Sequence, residues 1–237
     1  MIGGGYDNNI APNVQAGTIT GGYLNDIGTN ADYGFIGGGY NNNIGTDTAD
    51  ATIAGGSSHN IGTNGDYSVI GGGYGNFVAA NTSYGTIPGG RSALSAHFGQ
   101  WAYASGAFGR AGDAQTCVYV LRGTTSGTVT NELFLNGSSA RLTIETNTAV
   151  TFHIQVASRN DLGTSAGYEF GGVIARSEAG VTAFVGTVDT LMIKEGATAL
   201  NFLVEASDSL DALVLKGVGA VGVYHWVATV RTTEVWW

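Results

Sequence analysis

The sequence predicts an all-β chain in two parts, a parallel β-roll solenoid of 17-residue repeats followed by an antiparallel β-sandwich, jelly-roll-like. Three observations carry this. A Gly-Gly phrase returns six times with a strict 17-residue period, as Gly-Gly-Tyr from Gly4, Gly21, Gly38 and Gly72, Gly-Gly-Ser from Gly55 and Gly-Gly-Arg from Gly89. Two apolar ladders keep the same period: Ile2, Ile19, Ile36, Ile53, Ile70 and Ile87, and, eight residues on, Ile10, Ile27, Ile44, Ile61 and Val78. A fixed short period marks a solenoid, in which each repeat stacks on the last because none can bury its apolar face alone. Beyond residue 112 the pattern gives way to short alternating runs rich in Val, Thr and Ile.

Within one repeat, Tyr33 to Gly38 reads as a strand, so that Gly34, Ile36 and Gly38 share one face. Glycine inside a strand signals the close approach of another backbone. Each coil is therefore expected to enclose one thin layer with an Ile from each of two strands. Turns such as Asn41-Asn42-Asn43 and Gly62-Thr63-Asn64-Gly65 are placed to supply unusual φ values. Seven coils at a strand spacing of about 4.8 Å give a stalk on the order of 30 Å long. Two isoleucines per coil offset little of the cost of ordering a whole repeat of backbone. The aromatic set Tyr33, Tyr67, Tyr84 and Trp101 is thus expected to pack between chains of an oligomer.

Regularity fails after the sixth coil. Pro88 lacks a ladder donor, Leu94-Ser95 replaces the Asn-Ile pair, Ala104 takes the next Ile beat, and Gly106-Ala107-Phe108 is a degraded seventh copy of the phrase. Ala93 to Phe108 reads as a closing coil and neck. Residues 1–112 hold 27 of the 40 glycines, no Lys and no Glu. The shaft is therefore assigned to 1–112 and the sandwich to 113–237.

In the second part, nine strands are predicted, about 116–122, 132–136, 140–145, 150–158, 168–176, 182–193, 199–206, 211–217 and 221–233. Asn136-Gly137, Asn160-Asp161, Ala179-Gly180 and Glu195-Gly196 punctuate them, and no stretch sustains a helical pattern. Trp226 shares a strand face with Tyr224, Ala228 and Val230 and is assigned to the core. The terminal pair Trp236 and Trp237 is expected to dock on a neighbouring subunit, with exposure for binding as the alternative.

The net charge is −9 with no basic run, which leaves no electrostatic footprint for nucleic acid or an anionic membrane surface. No apolar run approaches the 18 residues of a membrane span. The single Cys117 excludes an intramolecular disulfide and reads as a small buried residue. Met1 stands directly on Ile2, already in repeat register, which suggests a piece of a longer protein.

The repeats in Phe35 to Gly45 and Val69 to Asn76 resemble the head repeats of trimeric autotransporter adhesins and of bacteriophage tail fibres and tailspikes. The stretch from Ala111 to Thr116, through Glu132 to Thr143, is similar to C-terminal domains of phage tail fibres. The resemblance implies a homotrimeric parallel β-roll on a virion tail. Expected partners are an upstream part of the same fibre and a host cell-surface polysaccharide or glycoprotein. The function this implies is structural and receptor-binding, without enzymatic activity or cofactor. The alternatives are the head of a bacterial adhesin on the cell surface and the non-catalytic end of a glycan-degrading tailspike.

Candidate chemistry is sparse. Gly163-Thr164-Ser165-Ala166-Gly167 matches a nucleophile motif that requires a strand turning into a helix, but it falls in a predicted turn between strands. The slot of Asp7 becomes Leu24, Asn41, Ser58 and Gly75, so no repeated calcium carboxylate exists. The slot of Asn8 runs Asn25, Asn42, His59, Asn76 and Ala93. Three copies of His59 at a threefold axis could converge on an ion, though a histidine in a polar turn is ordinarily solvated. His97, His153 and His225 lack metal-ligand spacing. Glu132, Glu145, Asp161, Glu169, Glu178, Asp189, Glu205, Asp208 and Asp211 could include a glycosidase pair, but they read as solvated loop acids. Receptor contact is assigned to loops 123–131, 159–167, 177–180 and 207–210, because variable loops on a rigid sheet are where binding resides.

Overall fold

A computed structural model describes all 237 residues, Met1–Trp237. The chain is all-β, with 23 strands and no helix, and divides into two compact units, Met1–Cys117 and Val118–Trp237.

The first unit is a parallel β-solenoid in which each 17-residue coil contributes two strands of two residues. One series is β1 (Asn9–Ile10), β3 (Asp26–Ile27), β5 (Asn43–Ile44), β7 (Asn60–Ile61) and β9 (Phe77–Val78). The other is β2 (Thr18–Ile19), β4 (Phe35–Ile36), β6 (Thr52–Ile53), β8 (Val69–Ile70) and β10 (Thr86–Ile87). Ile27 pairs with Ile44 and Ile36 with Ile53, so both ladders hold the register that the repeat predicts. The isoleucines from Ile19 to Ile87 are fully buried, and each coil encloses the expected thin apolar layer.

Strands this short cannot close a coil without corners between them. Leu24, Asn30 and Tyr33 supply them with φ of 57°, 56° and 57°, and the same three slots recur in later coils, including Asn41 and Asn64. Strand N–H groups donate to the following coil, as Asp26 N does to Asn42 O at 2.8 Å. Corner N–H groups donate to the preceding coil, as Asn41 N does to Tyr23 O at 2.9 Å. The backbone is thereby satisfied along the stack. Of the expected turn Asn41-Asn42-Asn43, only Asn41 is a corner; Asn42 is buried and Asn43 opens β5. The second glycine of the phrase is required by contact: a Cβ on Gly22 would lie 2.2 Å from the Gly39 carbonyl oxygen of the next coil. Residues Tyr6, Tyr23, Tyr40, Ser57, Tyr74 and Arg91 make a third bridged column on the surface. Its rings stack at 5.4 Å (Tyr6 on Tyr23) and 5.5 Å (Tyr23 on Tyr40).

The closing coil is built from β11 (Gly90–Arg91), β12 (Leu94–Ser95) and β13 (Trp101–Ser105), and it corrects the predicted register. Thr86 pairs with Trp101, not with Tyr103 one full repeat on, and Gly90 pairs with Ala104. The coil is therefore shorter than its predecessors. Ala102, fully buried, follows Ile87 in the ladder, where Ala104 was expected, and Ala104 takes the slot of the second glycine, expected for Ala107. Trp101 consequently leaves the tyrosine column, and Phe98 packs on Tyr84 instead, at 5.1 Å. Gln100 closes the shortened loop: its Oε1 accepts the N–H groups of Ala96 and His97, and its Nε2 donates to Leu94 O. After it, the Asp113 carboxylate accepts three backbone N–H groups, from Phe108, Gly109 and Arg110, at 2.6 to 2.9 Å.

Strand β14 (Ala114–Ser126) runs from the first unit into the second, which contains β15 (Thr130–Glu132), β16 (Leu142–Thr143), β17 (Thr148–Asn160), β18 (Ser165–Arg176), β19 (Thr182–Phe184), β20 (Asp189–Glu195), β21 (Asn201–Ser207), β22 (Ala212–Val218) and β23 (Val223–Trp236). One antiparallel sheet has the order β14-β23-β17-β18, with β19 and β20 both on β18. The other sets β22 between β21 and the short β15 and β16. The single strand expected at 182–193 is thus two, β19 and β20, with a register shift at Glu169/Phe170.

Between the sheets lies an aromatic core. Trp226 is fully buried, with ring centroids of Phe202, Tyr224 and Tyr168 at 5.9, 6.1 and 6.3 Å. Its Nε1–H donates to Thr125 Oγ1 at 2.9 Å, which satisfies the one polar atom the indole buries. Tyr224, Ala228 and Val230 are buried beside it, as the alternation predicts. Burial, and then the hydrogen bond its phenol gives to Glu195, raise the Tyr168 pKa well above the usual tyrosine value.

Candidate functional site

The sandwich unit carries a groove of about 760 Å³ on its outer surface, lined by residues of β14, β15, the segment after it, and β23. Alternation explains which side chains face it: Arg122 and Thr124 point outward from β14 between the buried Leu121 and Thr125, and His225 and Val227 flank the buried Trp226 on β23. Asn131 and Glu132 enter from β15, and Phe134 follows, paired backbone to backbone with Arg122.

The floor is organised by the Asn136-Gly137 turn. Asn136 Oδ1 accepts the N–H groups of Ser138, Ser139 and Ala140, which closes the turn on itself. Gly137 adopts φ 83°, and a Cβ there would lie 2.9 Å from Arg122 Nε. Glycine therefore lets the guanidinium lie flat against the turn, where it donates to Leu135 O at 3.3 Å and Asn136 O at 2.8 Å. Both of these acceptors are main-chain carbonyls, and no carboxylate neutralises Arg122.

Glu132 is the one carboxylate lining the groove, and it is engaged. Arg141 holds it through two parallel bonds of 2.7 and 2.9 Å, and that pairing raises the arginine pKa above its usual value. The Arg141 guanidinium also stands 5.1 Å from the centre of the Phe134 ring. Asn131 is fixed by its bond to Thr124 O at 2.7 Å. The groove thus offers an aromatic ring, amide and hydroxyl groups, and one fixed positive charge.

The remaining predicted acids lie apart. Glu205 pairs with Lys216, Asp211 with Arg176, and Glu169 with His153. Asp161 and Asp208 accept backbone N–H groups of Val223 and Thr182. Glu145, Glu178 and Asp189 are exposed. One acid in the groove does not make the two-carboxylate arrangement of a glycosidase. Ser165 opens β18 after a hairpin from β17, with no helix behind it, and lies 3.4 Å from Arg159 Nη1. The strand-to-helix geometry of a nucleophile elbow is absent there.

His59 is not solvated, contrary to expectation; it is 1% exposed, inside its coil. Its column is an internal hydrogen-bonding ladder, in which each Asn Oδ1 accepts the N–H of the next slot, as Asn25 Oδ1 does from Asn42. His59 continues the ladder by accepting the Asn76 N–H on Nδ1 at 3.1 Å. That occupies the Nδ1 lone pair and places the proton of the neutral ring on Nε2. Nε2 is buried beside the Gly73 carbonyl without reaching hydrogen-bond geometry. Burial lowers the His59 pKa, and the backbone contacts with Gly73 and Asn76 only partly counter it.

Of the four loops assigned to binding, the segment 123–131 reaches the groove, and the other three do not line it. Arg122 and Phe134 escaped the sequence reading because each sits in or beside an alternating strand, and His225 was weighed there only as a metal ligand. The Asn136-Gly137 turn was the one legible signal.

No protein-family model matches this chain, and no curated protein does. Among solved structures it shows similarity to the tailspike protein of an Acinetobacter phage, at 8% identity, with 94% of this chain covered and a TM-score of 0.27. The match spans 59% of that tailspike. A score that low does not establish a shared fold.

Proposed function

We propose that this chain is the structural and host-receptor-binding C-terminal part of a homotrimeric phage tail fibre or tailspike. In this reading the solenoid serves as shaft, the sandwich recognises a cell-surface glycan, and neither performs catalysis. The observation that carries the reading is the sandwich groove: an open, rigid, aromatic and amide-lined surface built on paired strands, suited to a sugar chain and lacking a second carboxylate for glycoside cleavage. The repeating solenoid, with tyrosines left about half exposed in columns, supports an assembly in which chains cover one another.

The test is adsorption of the full chain to a panel of bacterial cells and to polysaccharides released from them. Phe134→Ala and Asn131→Ala should weaken adsorption to the bound strain by about tenfold each, with no sugar released. Adsorption indifferent to both changes would remove the groove from the reading, and released oligosaccharide would make the protein an enzyme.

A further inference from the structure

We infer that the sugar taken by this groove is acidic, a hexuronate-type residue whose carboxylate seats on Arg122. The inference rests on the glycan-binding reading above and adds the chemical class of the ligand.

Of the chain's nine Lys and Arg, Arg141, Arg176 and Lys216 are held in ion pairs; Arg122 is not, and it is the arginine that lines the groove. The other groove-side arginine, Arg141, is neutralised by Glu132. Arg122 is not: its guanidinium is fixed by two main-chain carbonyls, which orient it without cancelling its charge. A guanidinium has five N–H donors, and two are committed to the turn, so three remain for an oxyanion. With Glu132 and Arg141 cancelling, the groove presents a single net positive charge, His225 aside. A carboxylate, singly charged at neutral pH, matches it. A phosphomonoester, at about −1.5 to −2, would be in excess. The protein's overall charge of −9 repels polyanions at long range, but screening confines that to within roughly 8–10 Å in physiological salt. Contact at Arg122 then decides.

The experiment is isothermal titration of the full chain with three matched probes: sodium glucuronate, glucose and glucose 6-phosphate. Glucuronate should bind at least about tenfold more tightly than glucose, weaken as NaCl is raised, and lose that advantage in Arg122→Gln. Arg122→Lys keeps the charge without the guanidinium and should retain part of the preference, which separates loss of charge from any loss of the turn; thermal melting of each variant checks folding. Equal binding of glucose and glucuronate, an unchanged preference in Arg122→Gln, tighter binding of glucose 6-phosphate, or no binding of glucuronate would each overturn the inference. The glycan-binding reading falls separately, if Phe134→Ala and Asn131→Ala leave adsorption to cells intact.

Discussion

Asn76 donates its backbone N–H to Nδ1 of His59 at 3.1 Å, so a histidine occupies a position where the neighbouring coils place asparagine. The asparagines do more with the slot. Asn42 Nδ2 donates to both Gly38 O and Gly56 O, whereas His59 Nε2 is buried without a partner.

His59→Asn should therefore stabilise the solenoid, by about 1 kcal/mol, because an amide can reach the Gly55 and Gly73 carbonyls. The wild type should also be acid-sensitive where the variant is not. The folded pKa of His59 lies below its ordinary 6.5, so the unfolded chain binds the proton first. Stability is then complete above about pH 6.5 and falls as the pH drops from that value through the lower folded pKa. Urea denaturation at pH 7.5 and 5.5 measures both effects; equal pH dependence in the two proteins would refute this account.

Asp113 works in the opposite range. Burial would raise its carboxyl, but the N–H groups of Arg110, Gly109 and Phe108, and then the Arg110 charge, outweigh it and hold the pKa below 3.8. A depressed carboxylate stabilises above its unfolded value and loses that contribution as pH falls through the folded one. Asp113→Asn should be less stable than wild type at pH 6, and the gap should close as the pH falls below 4. A gap independent of pH would mean that the three bonds do not depend on the charge.

Coils should be removable only as whole units. Deleting Gly37 to Ile53 joins Ile36 to Ala54 in register, because the ladder pairs Ile36 with Ile53. Deleting Gly37 to Thr52 turns every later side chain to the opposite face. Circular dichroism and thermal melting should show the first variant folded and the second not.

Gly217 has no room for a side chain: a Cβ there would lie 2.6 Å from the Trp226 ring, which is itself fully buried. Gly217→Ala should cost about 1–3 kcal/mol through overpacking, and Trp226→Ala about 3–5 kcal/mol through the cavity it leaves. Denaturant titration of the sandwich transition checks both.

The proposed trimer should appear in light scattering as three times the 24.2 kDa chain mass. A stable monomer would leave the exposed tyrosine columns without the partner proposed for them.

The solenoid was legible in the sequence because stacking repeats one chemical demand in every coil. The buried Ile36 and Ile53, the contact that admits only Gly at Gly22, and the corner at Asn41 are each a local rule copied down the stack. The sandwich core followed from strand alternation around Trp226. Where the repeat breaks, periodicity misled: the closing coil is shorter than its predecessors, and only the pairing of Thr86 with Trp101 revealed that Phe98, not Trp101, continues the tyrosine column. The interior position of His59 was likewise hidden, because polar residues in a turn look alike whether they face water or bond the next coil. The groove was decided by tertiary structure alone. Arg122, Phe134 and His225 are separated along the chain, and each has an ordinary local sequence. Antiparallel pairing brings them to one surface, and pairing partners distant in sequence leave no period to read.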